Sequence, residues 1–174
     1  MPTTLVTGAN GFVGATVVDE LLTQNHDVVL AIRSTSSADT LISIHPEWPA
    51  EKISVAPVPD FTLLGAFDAA FKTHPEINYI VHVAAPVPDD PLNADFVEHF
   101  EKPSVLGNTG LLASAKGFGK NVKAVSVPGS INAITLGDQD DFKRRILGNN
   151  EWLPLGREDA IEAQNAYVSI PYLY

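Results

Sequence analysis

A glycine-rich turn directly behind a short apolar run constrains the fold of this chain more than any other feature. Residues 7–14 read Thr-Gly-Ala-Asn-Gly-Phe-Val-Gly and follow the strand-like run at residues 4–6. Gly8 permits a tight turn, Gly11 lets the backbone approach a ligand, and Gly14 lets a helix pack close to the strand. Because the N-terminus of that helix supplies N–H donors and positive potential, the turn predicts a dinucleotide pyrophosphate site.

The end of the second predicted strand indicates which dinucleotide is bound. After a helix at about residues 11–23, the buried strand at residues 28–32 ends at Arg33 and Ser34. An acidic residue there accepts from the ribose 2′-hydroxyl of NAD, whereas an arginine accommodates the 2′-phosphate of NADP. Arg33 and Ser34 therefore favour NADP, with an ordinary strand-end arginine as the alternative. The cofactor-binding residues predicted from the turn and this strand end are Gly8, Asn10, Gly11, Phe12, Val13, Gly14, Arg33 and Ser34.

Composition narrows the class of protein. A chain of 174 residues with 45% hydrophobic residues predicts one domain, residues 1–174, with a sizeable core. The absence of cysteine excludes disulfides, thiolate metal sites and a cysteine nucleophile. The five histidines show no metal-ligand spacing, so no metal site is predicted. The net charge of −10 argues against nucleic-acid binding, and the lack of a long apolar segment or signal pattern predicts a cytoplasmic protein without membrane contact.

Strand-like and helix-like patterns alternate along the chain. Strands are predicted at residues 4–6, 28–32, 53–56, 79–85 and 122–127. Thr62 is expected to cap a third helix, Pro103 to interrupt a long helical region at residues 93–116, and a short helix is expected at residues 158–164. The alternation is typical of an α/β fold with a doubly wound parallel sheet, which is Rossmann-like.

These motifs resemble the extended short-chain dehydrogenases/reductases, among them the fungal ketone and aldehyde reductases and the plant dihydroflavonol and cinnamoyl-CoA reductases. Residues 7–14 match the family pattern TGxxGxxG, and Arg33 with Ser34 matches its NADP-phosphate site. The resemblance also places Asp60 near the adenine, and Ala84 with Ala85, in the segment at residues 82–86, beneath the nicotinamide-side ribose. It covers the N-terminal half of a full-length member, so the C-terminal substrate region is expected to be missing.

The resemblance carries over only part of the catalytic apparatus. It implies that Ser130, after the fifth strand, positions a substrate carbonyl and that Tyr167 is the proton donor; the alternative alignment puts Ile170 at the tyrosine position, and the tyrosine is then missing. The family lysine belongs four residues after the tyrosine, where this chain has Pro171, and no lysine follows Lys143. Because that lysine lowers the tyrosine pKa toward the working pH, the proton relay is expected to be impaired.

Three functions remain open from the sequence. The first is an NADP-dependent carbonyl reductase that acts on a small hydrophobic aldehyde or ketone. The second is a redox-silent isomerase or cyclase of a metabolite, in which NADP(H) plays no part in the chemistry. The third is a non-catalytic, truncated NADP-binding protein. In each case we expect a small-molecule partner and a homo-oligomer that covers an apolar surface left open at the edge of the sheet.

Overall fold

The computed structural model describes residues 1–87, 90, 94–130, 152 and 157–163. The strands are β1 (Thr3–Thr7), β2 (Asp27–Ile32), β3 (Ile53–Pro57), β4 (Ile77–His82) and β5 (Ala124–Ser126). The α-helices are α1 (Phe12–Thr23), α2 (Thr35–Ile44), α3 (Asp68–Thr73), α4 (Lys102–Phe118) and α5 (Arg157–Ala163). A 3-10 turn at Ala50–Lys52 precedes β3, and a π-helical segment at Val97–Glu101 precedes α4.

The five strands form one parallel sheet in the order β3-β2-β1-β4-β5. Successive strands are added on one side of β1 as far as β3, and the chain then crosses over to place β4 on the other side. The strand order therefore reverses at β1, and ligands bind at such reversal points beyond the carboxyl ends of the strands. The sequence prediction of a Rossmann-like parallel sheet is confirmed.

Two apolar clusters cover the two faces of this sheet, and β1 contributes to both. Leu5 belongs to one cluster with Phe67 and Phe71, whereas the next residue, Val6, belongs to the other with Val18. Successive side chains of a strand point to opposite faces, so a strand buried on both sides must be apolar at consecutive positions. This requirement explains why the strand reads as a continuous apolar run rather than as an alternating one.

The chain divides into two compact units, residues 1–85 with 106–128, and residues 86–105 with 129–174. The first unit contains the sheet. Among the described residues of the second unit, Phe96, Phe100 and Ile161 pack together. The expectation of a single domain stays a prediction. Within the part of the chain that the structure describes, no helix has the length and apolar character that crossing a membrane requires.

One of two expectations about the helices differs from the structure. The third helix begins at Asp68 and not at Thr62, because Gly65 between them has φ +78°, which an α-helix cannot contain. The backbone N–H and hydroxyl of Thr62 donate instead to the carboxylate of Asp60. The regular α-helix is interrupted near Pro103, as the sequence predicts: Val97–Glu101 is π-helical and runs directly into α4 at Lys102, one residue before the proline, which has no N–H to donate to the preceding turn.

Candidate functional site

The turn after β1 requires glycine at its first position for two separate reasons. Gly8 has φ +67°, a conformation that residues with a side chain rarely adopt. A Cβ atom built on Gly8 would also lie 2.8 Å from the backbone nitrogen of Ala84. The turn therefore lies directly against the segment that follows β4.

The start of α1 is similarly close to the turn. A Cβ on Gly14 would lie 2.1 Å from the carbonyl oxygen of Gly8, while Gly11 donates its N–H to the same oxygen at 3.0 Å. Gly11 is the N-cap residue, with φ −90° and ψ 165°, and it has no side chain to accept from the N–H groups of the first turn. That turn also contains no acidic residue, so its donors are oriented for an anion.

The predicted cofactor residues that flank these glycines face outward. Asn10 and Val13 are exposed, and Phe12 exposes 92% of its surface. An aromatic side chain this exposed at the start of a helix gains little from the protein core. Its position is consistent with a surface that a bound molecule covers.

A buried hydroxyl links the glycine turn to the end of β4 by hydrogen bonds. The Oγ1 atom of Thr7 lies 2.7 Å from Nδ1 of His82 and accepts the N–H of Ala84 at 3.0 Å. Burial lowers the pKa of His82 to about 4, so the ring is neutral at physiological pH. Ala85, the residue after Ala84, is exposed. The sequence pattern identified Ala84 but not the contribution of Thr7 and His82, because their contact joins residues distant in the chain.

Arg33 follows β2 directly and is exposed at the carboxyl edge of the sheet, where Ile32 of β2 pairs with Pro57 of β3. Asp60 lies just beyond β3 and accepts from Oγ1 of Thr62 at 2.6 Å and from its N–H at 2.9 Å. These two hydrogen bonds hold the pKa of Asp60 below its ordinary value, and the positive charge of Arg33 adds to the effect. Arg33 and Asp60 therefore act on the same region of the surface.

Ser34 has a local role that the sequence prediction missed. Its Oγ accepts the backbone N–H of Ser37 at 3.2 Å and so caps the N-terminus of α2. A serine directly before an apolar helical pattern was the available signal. The cap holds the residue next to Arg33 in a fixed conformation and thereby positions the arginine at the edge of the sheet.

The structure describes one of the two predicted catalytic residues. Ser130 follows β5 and is half-buried, whereas Tyr167, like Pro171, lies outside the described residues. The structure therefore brings the predicted dinucleotide residues together at one edge of the sheet, around Gly8, Arg33 and Asp60. It does not test the pairing of Ser130 with Tyr167.

Comparisons with known proteins identify relatives of this chain. The family model described as "NAD dependent epimerase/dehydratase family" matches residues 4–145. The NADPH-dependent methylglyoxal reductase GRE2 of Saccharomyces cerevisiae is 30% identical over 165 residues, which are 93% of this chain and 47% of that protein. The NAD-dependent epimerase/dehydratase ALT6 of Alternaria alternata is 35% identical over 117 residues, 64% of this chain and 32% of that protein.

Solved structures agree with the sequence comparisons. The crystal structure of Gre2 from Candida albicans in complex with NADPH superposes with a TM-score of 0.80 at 27% identity, over 99% of this chain and 51% of that one. The chain spans about half or less of the length of the curated relatives it matches.

Proposed function

Because the chain belongs to the NAD dependent epimerase/dehydratase family, we propose that it binds NADP(H) at the carboxyl edge of its sheet and forms the cofactor-binding part of a carbonyl reductase. The observation that carries this proposal is Arg33, exposed at the end of β2 at the same edge as the glycine turn. The resemblance to fungal reductases inferred from the sequence motifs is confirmed by the matches above.

The residues of the turn fit a dinucleotide. The spaces that a Cβ would fill at Gly8 and Gly14 are taken by protein backbone, whereas a Cβ on Gly11 would approach only the carbonyl oxygen of Gly8, at 3.3 Å. The first-turn N–H groups of α1 would hold the pyrophosphate. Arg33 would pair with the 2′-phosphate, and Asp60 would accept from the adenosine end. Ala84 and Ala85 would lie beside the nicotinamide-side ribose. NADPH supplies a hydride when it is bound.

Ser130 and Tyr167 are the proposed substrate-facing groups. The serine hydroxyl would donate a hydrogen bond to the oxygen of a small hydrophobic aldehyde or ketone, and the tyrosine hydroxyl would donate a proton to it. A tyrosine hydroxyl with a pKa of about 10 is a slow donor unless a cation lowers that value. Loss of an activated acid costs about 10²–10⁴ in rate, so we expect weak reductase activity.

Titration with NADPH and, separately, NADH tests the cofactor proposal. We expect Arg33→Ala to weaken NADPH binding by about tenfold or more, because a hydrogen bond to a charged group is worth about 1.5–3 kcal/mol. NADH binding should stay unchanged, since NADH has no 2′-phosphate. Arg157→Ala is the matched control, because that guanidinium pairs with Glu101 in the other unit. Equal loss for both nucleotides, or no binding of either, would overturn the proposal.

A second candidate is a non-redox enzyme that uses the same fold. The observation that favours it is Pro171 in the place of the family lysine, with no lysine after Lys143. Such an enzyme would use Ser130 and Tyr167 as hydrogen-bond donors to a metabolite and would not consume NADPH. Tight NADPH binding without oxidation across a panel of aldehydes and ketones would favour this candidate or a non-catalytic NADP-binding protein. Turnover of the panel would exclude both.

A further inference from the structure

The sequence His-Pro-Glu occurs twice in this chain, at residues 45–47 and 74–76. Each histidine is the C-cap of a helix, α2 or α3, with nearly the same backbone conformation: φ −122° and ψ 64° in the first, φ −120° and ψ 66° in the second. In each, Nδ1 of the imidazole meets Oε1 of the glutamate, at 2.9 Å in the first and 3.3 Å in the second. The two tripeptides are thus a local structure repeated at two helix ends.

Among the described residues, the first tripeptide alone has a third metal-ligating side chain close by. Asp19 of α1 approaches it, so that ligand atoms of Asp19, His45 and Glu47 all lie within 4.8 Å of one another. In the part of the chain that the structure describes, no other three histidine, cysteine or acidic residues converge in this way. Ligand atoms on one zinc ion, at bond lengths of 2.0–2.2 Å, stand about 3.4 Å apart. Side-chain movements of about an ångström would therefore bring the three ligand atoms to the spacing that a zinc ion requires.

Trp48 contacts two of the three candidate ligands and orients their side chains. Its indole N–H donates to Oδ1 of Asp19 at 2.5 Å, and its ring stacks on the imidazole of His45 with centroids 4.2 Å apart and planes within 9°. The indole is itself buried in the core beside Val18 and Leu41. Groups that orient metal ligands in this way raise metal affinity, because less side-chain freedom is lost on binding.

We propose that Asp19, His45 and Glu47 form a binding site for a divalent transition metal ion, with Zn²⁺ as the fitting occupant. One imidazole and two carboxylates match the ligand preferences of zinc, whereas Mg²⁺ prefers oxygen ligands alone and retains its water. The carboxylates are exposed enough for an ion to reach them, since the Glu47 side chain is 61% exposed.

The position of the site defines its role. His45 ends α2, which begins at the carboxyl edge of the sheet, so the site lies toward the opposite edge from the glycine turn. A metal there would tie α1 to the connection between α2 and β3. It would stabilise the fold without contact with the dinucleotide site, and the proposal is therefore independent of the proposed function.

Trp48 provides a reporter for the test. The chain has two tryptophans, and Trp152→Phe leaves Trp48 as the sole one. In this background, metal-free protein is titrated with Zn²⁺, and separately with Mg²⁺, while tryptophan fluorescence and binding heat are followed. We expect one Zn²⁺ to bind with micromolar affinity, to change the Trp48 emission and to raise the melting temperature. Mg²⁺ should do none of these.

Two variants remove ligands while keeping the surroundings. His45→Phe keeps an aromatic ring on the indole of Trp48, and Asp19→Asn keeps an oxygen acceptor for its N–H. We expect each to weaken Zn²⁺ binding by tenfold or more. His74→Phe is the matched control from the second tripeptide and should leave binding unchanged. Zn²⁺ binding that survives both ligand variants, that is lost in His74→Phe, or that does not saturate at all in the parent protein would overturn the proposal.

Discussion

Replacement of Gly14 by alanine tests how closely α1 packs on the turn. The new Cβ would lie 2.1 Å from the carbonyl oxygen of Gly8 and 2.8 Å from Cα of Ala9, and both are backbone atoms that cannot rotate away. Overpacking of this kind costs about 1–3 kcal/mol, and contact with backbone puts this site at the upper end, about 3 kcal/mol. Alanine regains about 1 kcal/mol of helix propensity, so we expect a net loss of about 2 kcal/mol.

Two other glycines separate the possible causes. Gly117, near the end of α4, has no atom within 4 Å of an added Cβ, so Gly117→Ala should stabilise the protein by up to about 1 kcal/mol. Gly65 has φ +78°, and an added Cβ would lie 3.3 Å from a side-chain oxygen of Asp68. Gly65→Ala therefore reports mainly the backbone strain, about 1–2 kcal/mol before the entropy that alanine removes from the unfolded chain.

Urea unfolding of the three variants and the parent, with NADPH affinity measured in parallel, checks the reasoning. We expect stability to fall in the order Gly117→Ala, parent, Gly65→Ala, Gly14→Ala. NADPH affinity should fall for Gly14→Ala, because its new methyl group displaces the turn proposed to hold the pyrophosphate. It should stay unchanged for Gly117→Ala, which lies away from that turn. If Gly14→Ala were as stable as Gly117→Ala, the close contact between α1 and the turn would be refuted.

Two further predictions concern pH and self-association. His82 has a pKa lowered to about 4 in the folded protein against 6.5 as its ordinary value, so only the unfolded chain gains this proton as the pH falls between them. The parent therefore loses stability over this range, whereas His82→Gln has no such titration. We expect urea unfolding to show that the free energy of unfolding of the variant, relative to that of the parent, rises by about 3 kcal/mol between about pH 7 and about pH 4. A difference that stays constant with pH would contradict the burial argument. Among the described residues, β5 pairs with β4 alone, so we expect sedimentation to show a homo-oligomer that covers this edge, and a monodisperse monomer would contradict it.

The sheet was predictable because its evidence is local. The run at residues 28–32 is apolar at every position, and each of its side chains is buried in the structure. Such a strand needs cover on both faces, and alternation with helices supplies that cover in only a few topologies. The same argument applies to the glycine turn, in which Gly8 and Gly14 each report a steric requirement that no other residue meets.

Contacts between distant parts of the chain were not predictable. The hydroxyl of Thr7 meets His82 and Ala84 only because β1 and β4 are neighbours in the sheet. Threonine and histidine in apolar strands have no pattern that distinguishes a structural hydrogen bond from chance. The convergence of Asp19 on His45 has the same character, because one residue lies within α1 and the other at the end of α2.

The net charge of the chain sets no limit on binding of an anionic cofactor. A charge of −10 spread over the surface acts through solvent, where salt screens it beyond about 8 Å at physiological ionic strength. The groups at the proposed site would act within hydrogen-bond distance: the N–H donors at the start of α1, whose N-cap residue Gly11 has no side chain to accept them, and the guanidinium of Arg33. Asp60 is held ionised beside that guanidinium by its hydrogen bonds to Thr62, so its carboxylate partly balances the arginine before a ligand arrives. In the proposed complex, a nucleotide with a 2′-phosphate would gain the interaction with Arg33, whereas one without it would meet Asp60 alone. We therefore expect this pair of residues, and not the overall acidity of the protein, to set the choice between NADPH and NADH.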